Sequence, residues 1–138
     1  MIIADTGFWL ALFNREDAWH ERAVSVSRVL RERLVTTWPV LTEATHLLAA
    51  RGHQTVAMRF QERCFSGAVD IVDLDDKARP RVLELMRKYE GLPMDLADAS
   101  LVILAEKLGH GRILSTDQRD FQAYRWKNHA PFENLLLG

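Results

Sequence analysis

One cysteine in 138 residues rules out an intramolecular disulfide. Cys64 sits among Phe60, Phe65 and Val69, and thiolate activation needs a cationic partner, so it reads as a small buried hydrophobe rather than a nucleophile. Long apolar runs are missing: none approaches the roughly 18 to 20 residues that span a bilayer. The N-terminus lacks a basic stretch leading into an apolar run and a cleavage site. These absences predict a soluble, cytoplasmic protein with no membrane partner. No repeat, low-complexity tract or linker divides the chain, so one domain over residues 1–138 is expected, with 48% hydrophobic residues to fill its core. An excess of one charge is lacking too. The net charge of -1 excludes little, because an acidic pocket beside a basic substrate track would cancel in the sum.

What is present is an alternation of short apolar runs with longer segments of helical periodicity. Strands are predicted at Met1 to Ala4, Leu34 to Thr37, Val69 to Val72 and Arg112 to Ser115, with a further short one near Tyr124. Thr6 is positioned to cap a helix through Phe13, and Asp17 a second whose apolar stripe is Trp19, Ala23, Val26 and Leu30. Pro39 suits the first turn of a helix ending at Gly52, and another runs from about Thr55 to Gly67. Asp75 or Asp76 opens a helix closed by Gly91, and Asp95 to Leu108 reads as a buried helix stopped by Gly109. Strands alternating with helices imply a parallel sheet covered on both faces, the α/β class.

In open α/β sheets, ligands bind beyond the carboxyl ends of the strands, and this chain places acids there. Asp5 follows the first strand and Asp117 the fourth. Asp95 and Asp98 share a face at the start of the buried helix, and Glu43 falls in the first turn or so of the helix after the second strand. Aspartates near helix starts commonly cap free amides, which accounts equally well for Asp95. Asp98 is different. It lies between Ala97 and Ala99 in an apolar helix, and no lysine or arginine occurs from Leu92 to Glu106, so its partner is a distant basic side chain or a metal ion. Crowded carboxylates repel one another unless a cation sits between them. Magnesium or manganese suits such oxygen donors, and phosphoester hydrolysis suits such a site, since the metal makes a nucleophile of water and stabilises charge on phosphate. Arg112, Arg119, Arg125 and Lys127 gather late in the chain and are candidate phosphate contacts, although a solvated face explains them as well.

Four stretches in this order resemble the PIN domain, and specifically the VapC-type toxins of prokaryotic toxin-antitoxin pairs. They are Ile3-Ala4-Asp5-Thr6, Thr42-Glu43, Met94-Asp95-Leu96-Ala97-Asp98-Ala99, and Leu114-Ser115-Thr116-Asp117 with Asp120-Phe121. The resemblance implies a PIN-like three-layer sandwich, with a mostly parallel sheet of four to five short strands flanked by helices. It makes Asp5, Glu43, Asp98 and Asp117 a catalytic quartet that binds magnesium or manganese and hydrolyses RNA. Asp95, Thr6 and Thr116 become accessory groups. It also implies a homodimer and an antitoxin that covers the site. An RNA-processing nuclease without antitoxin, and a PIN-like domain that binds without cutting, are the alternatives.

Other motifs fail on their context. Asp5-Thr6-Gly7 matches the triplet of retroviral-type aspartic proteases, but those are β-rich and reach the triplet through preceding strands. A haloacid-dehalogenase-like phosphatase would need a second aspartate where Gly7 stands. Glu43 and His46 have the spacing of a di-iron helix ligand pair, but no second copy exists. His20, His53, His110 and His129 share no ligand spacing. Trp9, Trp19, Trp38 and Trp126 are expected in the core or a subunit interface.

Overall fold

The structure, a computed structural model, describes residues 1–51 and 53–137. The predicted apolar runs form β1 (Ile2–Ala4), β2 (Leu34–Thr37), β3 (Val69–Val72) and β4 (Arg112–Leu114). Three short strands follow: β5 (Arg125–Trp126), β6 (Ala130–Pro131) and β7 (Glu133–Asn134). The main sheet has the order β3-β2-β1-β4-β7 and is parallel throughout. Its central strand β1 is apolar end to end and wholly buried, as a strand covered on both faces must be. The strand expected near Tyr124 is β5, which leaves this sheet and pairs antiparallel with β6. The fifth strand is instead β7, held by the Glu133 amide donating to Gly111 O and the Leu135 amide to Ile113 O, both at 2.8 Å.

The helices are α1 (Thr6–Phe13), α2 (His20–Val29), α3 (Trp38–Ala50), α4 (Gln54–Arg63), α5 (Arg79–Lys88), α6 (Leu96–Leu108) and α7 (Gln118–Ala123). Right-handed crossovers require α1 to α4 on one face of the sheet and α5 and α6 on the other. Buried residues from Ile2 to Leu136 form one hydrophobic cluster. Among the described residues, no helix is long and apolar enough to cross a membrane.

Several boundaries shift for identifiable reasons. Asp5, not Thr6, caps α1, its carboxylate accepting the Thr6 amide at 2.7 Å. Asp17 holds the Trp19 amide at 2.9 Å, so α2 begins only at His20. Helix α4 ends at Arg63 in a wider π-type turn, Cys64–Ala68. Tyr89 rather than Gly91 ends α5, and the expected stop at Gly52 lies outside the described residues. Gly109 ends α6 as expected, in the left-handed conformation (φ 78°) that favours glycine. Glu43 stands in the second turn of α3, not the first. Of the tryptophans only Trp9 is a core residue; Trp126 is half-buried, while Trp19 and Trp38 are exposed. Cys64 is buried, and burial pushes its thiol up to about 11, which leaves it inert. Its neighbour Phe65 is exposed.

Candidate active site

Parallel pairing of β1 with β4 sets Asp5 and Asp117 side by side beyond the carboxyl ends of the strands. Asp5 is buried, yet well satisfied. Oδ1 accepts the Thr6 amide, and Oδ2 accepts the Ser115 hydroxyl at 2.8 Å. Ser115 Oγ in turn accepts the Asp117 amide at 2.9 Å, so one hydroxyl ties the two acids together. Asp117 caps α7, accepting the Asp120 amide at 3.1 Å. Burial raises the Asp5 pKa from 3.8 to about 7; Ser115 and Thr6 oppose the rise, and Asp117 and Glu43 add to it.

Helix α6 brings the next pair. Asp95 is its cap and accepts the Asp98 amide at 2.8 Å, while Asp98 Oδ2 accepts the Asp95 amide at 3.4 Å. The buried hydroxyl of Tyr124 also donates to Asp98 Oδ2, at 3.1 Å. Burial, then the charges of Asp95 and Asp5, push Asp98 up to about 8. Glu43 is raised by burial, which the Thr6 hydroxyl opposes, and by the neighbouring Asp95; Asp117 is raised by burial and by Asp120. All five acids thus meet at one edge of the sheet. None of them takes part in an ion pair among the described residues. Among the described residues, the positive partner that Asp98 lacks nearby in its own helix is not supplied by another element either.

The donor set fits a hard divalent cation. It consists of carboxylate and hydroxyl oxygens, and Thr6 Oγ1 is buried beside Glu43 without a hydrogen-bond partner of good geometry among the described residues. Among the described residues no three acids converge to form a ready-made cage. Magnesium does not require such a cage, since it is commonly held by one or two carboxylates and keeps several waters. The side chain of Thr116 lies against the first turn of α1: a Cβ on Gly7 would stand 2.0 Å from Thr116 Oγ1. Only glycine leaves room there.

The four basic candidates are separated by the fold. Arg119 stands next to the acids, exposed and in contact with Asp120 at 3.2 Å. Arg112 opens β4 and pairs with Glu32 at the opposite edge of the sheet. The Lys127 amide docks on Glu106, about 12 Å along α6 from Asp98. Arg125 turns its guanidinium onto the carbonyls of Gln122 and Tyr124. Sequence reasoning did not single out Ser115, Asp120 or Tyr124 as site residues. Asp117 and Asp120, three apart at a helix start, carried a capping signal that would have found Asp120; Tyr124 carried none.

Ribonuclease VapC26 of Mycobacterium tuberculosis (strain ATCC 25618 / H37Rv) is 25% identical over 124 residues, covering 90% of this chain and 92% of that protein. The crystal structure of Mycobacterium tuberculosis VapC20, described as a Sarcin-Ricin loop cleaving toxin, superimposes with a TM-score of 0.79 at 23% identity, over 85% of this chain and 90% of that one. The likeness to VapC20 shows a shared fold. The model of the PIN domain matches residues 2–127, which takes in every acid of the site, and the chain therefore belongs to the PIN domain family.

Proposed function

We propose that this chain is a magnesium- or manganese-dependent endoribonuclease of the VapC toxin type, with Asp5, Glu43, Asp98 and Asp117 as the metal-holding carboxylates. One observation carries the proposal: Asp5 and Asp98, from different elements, are brought to one edge of the sheet with raised pKa values and, among the described residues, no basic partner. The similarity to a protein named a ribonuclease, and to another described as an RNA-loop-cleaving toxin, supports the choice of RNA as substrate. On the same reading the protein is a single-domain, cytoplasmic homodimer, held inactive by a separate antitoxin.

The residues of the chain divide the work. Ser115 and the Thr6 amide fix both oxygens of Asp5, and the Asp120 amide fixes Asp117. Thr6 Oγ1, buried against Glu43, is placed to steady that carboxylate. Arg119 is placed to meet the phosphate backbone. A bound divalent ion supplies charge neutralisation and a more acidic water. The Asp95 carboxyl stands beside Glu43 at the rim of the site.

The test is cleavage of total RNA and tRNA by the purified protein, with manganese or magnesium against EDTA, beside Asp5→Asn and Asp98→Asn. Only the wild type with metal should cut. A wild type that neither cuts nor binds metal in calorimetry sinks the proposal and leaves a PIN domain that binds without cutting.

A further inference from the structure

Tyr124 is completely buried, and its hydroxyl reaches Asp98 across 26 positions of sequence. Its ring is fixed edge-on by Tyr89 and Phe121, with centroids 5.0 and 5.1 Å away. The backbone on either side is pinned as well. The Tyr124 amide donates to Asp120 O at 2.9 Å, and the Arg125 amide donates to the Tyr89 hydroxyl at 3.0 Å. The phenol is therefore a rigid donor with a fixed target.

That target is one particular oxygen. Asp98 Oδ2 accepts both the Tyr124 hydroxyl and the Asp95 amide, and among the described residues no donor reaches Oδ1. The two oxygens of a carboxylate that could bridge, chelate or rotate are thereby made unequal. Groups that hold a ligating side chain from behind set its orientation, and losing one typically weakens metal affinity about 10- to 100-fold.

Resting on the metal site proposed above, we propose that Tyr124 is its positioning residue, tying back Oδ2 of Asp98 and leaving Oδ1 as the oxygen open to a divalent cation. The simpler role, anchoring the C-terminal segment to α6, would be shared by Tyr89. That phenol is also buried and also makes one long-range hydrogen bond, but among the described residues it hydrogen-bonds no acid.

The experiment is manganese titration by calorimetry on the full chain, comparing wild type with Tyr124→Phe and Tyr89→Phe, with metal-free thermal unfolding alongside. Phenylalanine keeps the ring contacts in both. Tyr124→Phe should bind manganese about 10- to 100-fold more weakly, while Tyr89→Phe binds as wild type does. RNA cleavage by Tyr124→Phe should need correspondingly more manganese and recover most of its kcat once metal saturates. Equal affinity in Tyr124→Phe and wild type overturns the positioning role, as does an equal loss in both variants. A wild type that binds no manganese overturns the metal site itself, and the positioning role falls with it.

Discussion

Ser115 Oγ stands 2.8 Å from Asp5 Oδ2 and donates to it while accepting the amide of Asp117. Ser115→Ala therefore removes a donor from one buried carboxylate and an acceptor from a backbone amide. The expected loss is about 1–3 kcal/mol of stability, read by urea unfolding. Because Ser115 is a group that holds the Asp5 pKa down, the variant should also shift that pKa further upward. Aspartate carboxyl shifts in an NMR pH titration check this; an unchanged Asp5 would be inconsistent with the bond.

Gly7→Ala puts a methyl group 2.0 Å from Thr116 Oγ1. Overpacking of this kind costs about 1–3 kcal/mol. Thr116→Ala removes the offending oxygen and leaves Cβ at 3.2 Å, a contact that small shifts relieve. In the double variant the loss should be clearly smaller than the sum of the single losses, measured as a double-mutant cycle of unfolding free energies. Strict additivity would count against the close approach of α1 and the Thr116 loop.

The metal-free protein should become less stable as pH rises from about 4 to about 8. Asp5 and Asp98 have folded-state pKa values above the unfolded value of 3.8, near 7 and near 8, so the native state holds protons that the unfolded chain has released. Their contribution is fully present below pH 3.8 and is lost as pH climbs through the folded values. Glu32, lowered to about 2 by Arg112, acts in the opposite sense, but only at more acid pH. Saturating manganese should reverse the upper trend, because the ion binds the carboxylate forms and stabilises the folded chain. Melting temperatures across pH, with metal and with EDTA, test both halves; parallel curves would contradict the coupling.

Arg119 and Arg112 should separate cleanly in RNA binding. Arg119→Ala, beside the acids, should weaken binding and reduce the salt dependence by about 0.7 in log-log slope if it meets one phosphate of a single strand. Arg112→Ala breaks an ion pair with Glu32 on the far edge and should leave the slope unchanged. Fluorescence anisotropy at several salt concentrations distinguishes them. Identical behaviour of the two variants would contradict an RNA path over the acidic edge.

Much of this site could be anticipated because its logic is local. A β-rich run followed at once by Asp5, and an acid inside an apolar helix without a basic neighbour at Asp98, are signals carried by adjacent residues. Strand polarity was also legible but unused: Arg112 opens β4 and Asp117 follows its end, so residues five apart in sequence were bound for opposite edges. Other features depend on the assembled fold. Strand β7 is two polar residues in an irregular stretch, recognisable only through bonds to Gly111 and Ile113. Tyr124 has no neighbour in sequence that marks it, since its meaning lies in Asp98. Trp19 and Trp38 show the converse: size and aromaticity favour the interior, yet both stand at helix starts where the chain turns outward.

The reciprocal cap of α6 joins the closing of a helical turn to the acidic site. Asp98 Oδ2 closes the first helical turn by accepting the Asp95 amide, while the same side chain is a member of the acidic site. Fraying of that turn would withdraw Asp98, and a cation drawing on Asp98 would in turn hold the turn shut. The exchange rates of the Asp98 and Ala99 amides, both bonded to Asp95, should then follow metal occupancy, so that the end of one helix serves as a gauge of the site's loading.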